Sequence, residues 1–155
     1  MKRISLLLLA LLTASFLWTG CSKPAPKEAD LPSVMDAMKK KITNTQMMDL
    51  SADDLMPNYG IAEQDVQQFA ARVDSTGTKG DEILLLEGTD GAAAGRIEEK
   101  LNARYRQKEI EMKDYLPEEY AMLKKCSVER SGNYVALIVS PQAGDLENIY
   151  RDALG

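Results

Sequence analysis

The chain predicts an α+β fold: a two-layer β-β-α-β-β-α arrangement in which a four-stranded, mainly antiparallel sheet carries helices on one face, preceded by an N-terminal helix. Three observations carry this. A polar, glycine-punctuated loop from Ser75 to Gly80 leads into the apolar run Ile83–Leu86, a segment of strand length. Gly132 and Asn133 form a tight-turn signal just ahead of the almost continuous apolar stretch Tyr134–Val139. Each of these hairpins is followed by a segment of helical period. A hairpin and a helix each leave one apolar face, and packing them on each other in two layers buries both. The other sheet face is then expected to be partly open to solvent and to be the natural binding surface.

The first helix is signalled by Ser33 with Asp36 three places on, a capping-box spacing, followed by Val34, Met35, Met38 and Ile42 and closed by Lys39, Lys40 and Lys41. Ser51 and Asp54 mark a shorter helical turn, with Leu50 and Leu55 as a hydrophobic staple and Pro57 and Gly60 as its end. Residues 66–73 suit either a helix or a strand. The hairpin partner that follows decides for a strand over 67–74, paired with a second over 82–87.

Asp90 caps a long helix to about Lys113, with Ala94, Ile97, Leu101, Tyr105 and Met112 on its apolar side and Glu98, Lys100, Arg104 and Arg106 as a solvated face. Pro117 stops it, and 118–123 form a brief helical segment. Strands over 125–130 and 134–139 make the second hairpin, with Cys126 and Val128 on one face. Leu146, Ile149, Tyr150, Ala153 and Leu154 define the last helix, capped by Asp145 or the preceding turn.

Ahead of this domain lies an export signal. Met1, Lys2 and Arg3 form a basic head, and from Ile4 to Trp18 the only polar side chains are three hydroxyls. That apolar segment is too short to span a bilayer, which takes roughly 20 residues. It reads as a signal peptide over 1–20 with small residues before a cut. Residues 21–30 read as a cysteine and a flexible, proline-bearing tether, and 31–155 as one domain. Of 155 residues, removal of 20 leaves 135, and of 19 basic residues Lys2 and Arg3 leave with the leader. The remaining 17 face 24 acidic ones, a formal charge of −7. That balance excludes the basic face of a nucleic-acid binder and disfavours electrostatic attachment to anionic lipid. Cys126 is the one mature thiol besides Cys21, so an ordinary apolar core must stabilise the domain.

Signals for catalysis are sparse. The chain has no histidine, which removes the commonest general base and the usual Ser-His-Asp and Cys-His arrangements. The carboxylate pairs Asp53–Asp54 and Glu118–Glu119 sit at helix starts, where capping accounts for them. Cys126 has no CxxC partner, and Gly88, Gly91 and Gly95 lack the spacing and lysine of a phosphate loop. No catalytic residue, cofactor or resident metal site is therefore assigned. Met35, Met38, Met47 and Met48 lie close in sequence, and their thioethers would suit Cu(I); core filling is the plainer account.

Two resemblances sharpen location. Leu17, Trp18, Thr19, Gly20 and Cys21 resemble a bacterial lipobox, although Trp18 stands where leucine is usual. The resemblance implies that Cys21 becomes the first mature residue and carries a diacylglyceryl group. In addition, Asp53, Asp54 and Leu55 with Tyr59, Gly60 and Ile61, the run from Lys113 to Tyr120, and Gly132 to Val135 resemble the bacterial lipoprotein family called domain of unknown function 4358, in order over roughly Leu31 to Leu154. The resemblance implies a small domain of a Gram-positive-type cell envelope, exported and lipid-anchored to the outer face of the cytoplasmic membrane, and brings no site residues. The expected role is a non-catalytic module that holds an envelope protein or peptide through an open sheet face or edge. The alternative is a small-ligand or copper capture domain working with a transporter. A concave pocket with converging polar groups would favour capture; a flat apolar surface with exposed Tyr134 or Tyr120 would favour a protein partner.

Overall fold

A computed structural model describes residues 27–155, so the expected leader, Cys21 and most of the tether lie outside the described residues. Five strands form one antiparallel sheet: β1 (Met47–Asp49), β2 (Val66–Asp74), β3 (Glu82–Gly88), β4 (Val128–Ser131) and β5 (Tyr134–Val139), in the order β1-β2-β3-β5-β4. The α+β class and the antiparallel pairing stand as expected; the strand count is one higher. β1 has only three residues and no alternation of its own. Its pairing with β2, Met47 opposite Asp74, makes it a strand, and the Arg72 guanidinium ties it down by donating to the Met47 carbonyl at 2.7 Å.

Val66–Asp74 is a strand, because Phe69, Ala70 and Ala71 pair with Leu86, Leu85 and Leu84 of β3. β3 in turn lies against β5, with Leu84 opposite Leu137.

The helices are α1 (Leu31–Lys39), α2 (Leu55–Tyr59), α3 (Gly91–Lys113), α4 (Pro117–Leu123) and α5 (Ala143–Leu154). They cover both faces of the sheet, which corrects the expectation of one covered and one open face. All six residues of β5 are buried, as are six of the seven in β3. Successive side chains of a strand point to opposite faces, so burial at every position requires a layer on each side. Glu82 meets Arg104 and Lys108 of α3 on one face. On the other, Gln68 accepts from the Leu31 N–H at the start of α1 (2.9 Å) and donates to Glu87. α1 packs there on β2 and on α5. The continuous apolar runs 83–86 and 134–139, where alternation would mark a half-buried strand, already carried this message.

Several boundaries shift for identifiable reasons. Asp30, not Ser33, caps α1, its carboxylate accepting from the Ser33 N–H at 3.2 Å, and Pro32 lies in the first turn, where its missing N–H costs nothing. Ser51 and Asp54 do form the capping box, but on a 3₁₀ turn over Ala52–Asp54 that runs on into α2. Pro57 sits inside α2, and Gly60 ends it at φ 66°. Asp90 caps α3 through the Ala93 N–H at 2.7 Å, as expected. Cys126 precedes β4: its N–H donates to the Leu123 carbonyl, closing the turn after α4. The turn before α5 supplies its start, with Asp145 inside the first turn.

Candidate functional site

The site begins with a carboxylate in an apolar setting. Glu82 opens β3 with its side chain turned toward α3, and only 1% of the residue is exposed. A buried charge is tolerated only when it is paired and hydrogen-bonded. Arg104 and Lys108, four apart and so one above the other on α3, supply the partners. Arg104 Nε donates to Glu82 Oε1 and its Nη2 to Oε2, both at 3.0 Å, a bidentate fork. Lys108 Nζ lies 2.5 Å from Oε2. The Arg104 guanidinium also stacks over the Tyr59 ring from α2, 5.9 Å from its centroid.

The electrostatics follow from burial and from these charges. Burial alone would raise the Glu82 carboxyl, but Lys108 and Arg104 outweigh it and hold the group below the ordinary range. Burial and then the Glu82 charge push the Tyr59 phenol far up, so it keeps its proton. The cluster therefore holds one carboxylate, two cations and a protonated phenol.

These four groups floor a cleft of about 780 Å³ between α2, α3, β1 and the β2–β3 loop. Its walls mix apolar Met48, Leu50 and Leu116 with acidic Asp54, Asp74 and Glu111. The volume falls in the range of small-molecule sites, roughly 300–1,000 Å³.

The family model described as "Domain of unknown function (DUF4358)" matches residues 40–140, which include every residue lining this cleft. The chain belongs to that family. Neither the curated proteins nor the solved structures contain a match. In this DUF4358 domain the match takes in all five strands and α2 to α4, while α1 lies before it and α5 after it.

Asp81, next to Glu82 in the chain, lines the same cleft. It is 3% exposed, and its Oδ1 has no hydrogen-bond partner among the described residues. Burial raises its pKa, the Asn44 amide opposes this, and Glu119 on α4 and Asp74 on β2 push it further up. Lys79, the cation of the adjoining loop, is engaged by Glu119 at 3.3 Å. A carboxyl raised above its unfolded value binds more protons in the folded state, so it erodes stability as pH rises through the interval between the two values. Asp81→Asn is therefore expected to be more stable than the parent at neutral pH, with the difference closing below about pH 4, the ordinary aspartate range. Denaturant midpoints measured across pH check this; a constant difference would show that the carboxyl is not the cause.

The residues singled out from sequence fare unevenly. Arg104 leaves the solvated face it was assigned to and is the bidentate partner of Glu82. Cys126 is buried, and burial raises its thiol, so it holds its proton at neutral pH. Asp54 caps as expected, and Glu119 accepts from the Gly80 N–H at 2.7 Å. The four methionines do not converge. Met35, Met38 and Met47 are buried, while Met48, the next residue along β1, points to the opposite face, lines the cleft and is half exposed. Among the described residues no cluster of His, Cys, Asp and Glu is placed to hold a metal, and no helix is long and apolar enough to cross a membrane. Tyr134, expected as an exposed aromatic, is buried with its hydroxyl accepting from the Ala29 N–H, and Tyr120 is half-buried.

Glu82, Lys108 and Tyr59 were not read as a site. The available signal was an acid heading an apolar strand, together with two cations four apart on a helix that had to pack over it.

Proposed function

We propose that this chain is an extracytoplasmic lipoprotein, anchored to the outer face of the cytoplasmic membrane through Cys21, whose domain captures a small polar ligand in the α2–α3 cleft. The observation that carries the reading is the cleft of about 780 Å³ with Tyr59, Glu82, Arg104 and Lys108 converging on its floor. A concave site with a few oriented polar groups suits small-ligand recognition. The alternative use of the fold, an open sheet face for a protein partner, loses its surface because both faces are covered. The anchor rests on the leader and lipobox pattern ending at Cys21.

The geometry is compatible with such a tether. Lys27 donates to the Leu154 carbonyl at 2.9 Å and Ala29 to the Tyr134 hydroxyl, so the described chain starts at the Gly88–Tyr134 end of the sheet. Glu82, opposite Val139, marks the other end. Six residues of strand separate the two ends by about 17 Å. A lipid at Cys21 would then hold the tether end toward the bilayer and leave the cleft at the far end.

Two measurements test the two halves of the reading. Mass spectrometry of the membrane-bound protein is expected to find Cys21 as the first residue with the mass of a diacylglyceryl group, and Cys21→Ser to lose that mass; an unmodified Cys21, or one still preceded by the leader, rejects the anchor. A panel of amino acids, sugars, phosphates and polyamines, followed by amide NMR shifts of the full chain in detergent, is expected to yield a class that perturbs residues around Tyr59 and Lys108. If no class shifts them, capture is rejected.

A further inference from the structure

Resting on the capture reading, we infer that the cleft takes a zwitterion of amino-acid type, its carboxylate directed to Arg104 and Lys108 and its ammonium to the acidic rim at Glu111 and Asp54. The floor pairs two cations with one carboxylate. Glu82 engages Arg104 through Nε and Nη2, which leaves Nη1 without a partner among the described residues. The Lys108 ammonium has three donors, and Glu82 is its one salt-bridge partner among the described residues. Arg104 and Lys108 thus keep donors that Glu82 does not use, and a ligand carboxylate matches the guanidinium fork and the remaining ammonium donors.

Away from Arg104 and Lys108 the lining is mainly acidic, with Asp54, Asp74, Asp81 and Glu111 against Lys79. Glu111 and Asp54 line the same cleft, the charge of Glu111 acts on Arg104, and that of Asp54 acts on Tyr59. A ligand with only negative charge would meet these acids on its way in, and one with only positive charge would meet Arg104 and Lys108 at the floor. A ligand bearing both charges satisfies floor and rim together. The Met48, Leu50 and Leu116 side chains provide apolar wall for the short carbon stem between its charges.

The test uses 4-aminobutanoate, butanoate and butylammonium, three molecules of the same chain length, titrated into the full chain in detergent and followed by amide NMR shifts. The zwitterion is expected to bind at least about tenfold more tightly than either singly charged analogue, since each end adds a charge-assisted hydrogen bond. Lys108→Met, which leaves Glu82 paired one-to-one with Arg104, is expected to weaken 4-aminobutanoate about tenfold or more. Glu111→Gln, a change at an exposed helix position that leaves the core untouched, is expected to weaken 4-aminobutanoate and, by removing a repelling charge, to strengthen butanoate, so that the gap between the two narrows; an unchanged gap counts against the ammonium site. Butanoate or butylammonium binding as tightly as the zwitterion, or cleft resonances that respond to none of the three, overturns the inference. Should a sugar or phosphate from the wider panel shift the same residues, capture stands and the zwitterion class alone falls; should nothing shift them, both fall.

Discussion

Glu82→Ala is expected to destabilise the fold by about 3–5 kcal/mol, the usual effect of removing one partner from a buried ion cluster. The loss of the Arg104 and Lys108 contacts themselves is the smaller part. Lys108, 5% exposed, and the half-buried Arg104 would keep their charges with no anion beside them. Replacing all three residues with apolar ones of similar size, as in Glu82→Leu with Arg104→Met and Lys108→Met, is expected to be near neutral or stabilising, because it removes the desolvation cost of the charges along with their attraction. Urea unfolding of the single and triple variants checks both statements. A single variant within 1 kcal/mol of the parent would mean that water reaches these charges.

The same residue sets an acid limit on stability. Glu82 is held below its unfolded value, about 4.3, so its contribution is complete above that value and is lost as pH falls through the folded one. The acid limb of the parent's stability curve should accordingly be steeper than that of the triple variant.

Gly88→Ala is the second large effect, expected at or above the upper end of the roughly 1–3 kcal/mol typical of overpacking. A Cβ on Gly88 would stand 2.5 Å from the Ala94 nitrogen and 2.8 Å from its Cα. Those are backbone atoms of α3 and cannot rotate away, so the helix must lift from the sheet. Lifting it loosens Ile97 and Leu101, both fully buried, and displaces Arg104 relative to Glu82. The variant should therefore lose ligand binding in the cleft as well as stability. Gly144→Ala is the control: nothing lies within 4 Å of that Cβ, and the position is in α5. Exchanging glycine for alanine in a helix is expected to gain about 0.5–1 kcal/mol. Thermal unfolding of the two variants side by side separates close approach from backbone propensity; equal midpoints would refute the packing argument.

Local chemistry was legible wherever a residue acts on its own neighbours. Asp90 capping α3, the Ser51–Asp54 box, the Gly132–Asn133 turn and the apolar strand after it depend on contacts within a few residues, and all can be read from spacing. The resemblance through Asp53–Ile61, Lys113–Tyr120 and Gly132–Val135 leads to the family whose model matches 40–140. β1 was hidden because a three-residue edge strand exists by virtue of its partner. The Asp30 cap is masked in the sequence because Ser33 with Asp36 offers the same capping spacing three residues later.

The site was hidden for a different reason. Arg104 on a charged helix face has the same local pattern whether it meets water or a carboxylate 22 positions earlier in the chain, and nothing within one helical turn distinguishes the two. Tyr59, Glu82 and Lys108 come from three separate elements, and only the packing of α2 and α3 over the head of β3 brings them together.

By itself the sequence determined the main helices, four of the five strands, the acidic balance and the basic-then-apolar N-terminal pattern ending at Cys21, since these depend on composition and short-range geometry. Tertiary structure alone decided that helices close both faces of the sheet and that a buried acid collects two cations beneath a cleft. The physical reason is that burial is a property of the assembled layers: a charge becomes costly, and its partner becomes necessary, only once the surrounding chain has excluded water from it.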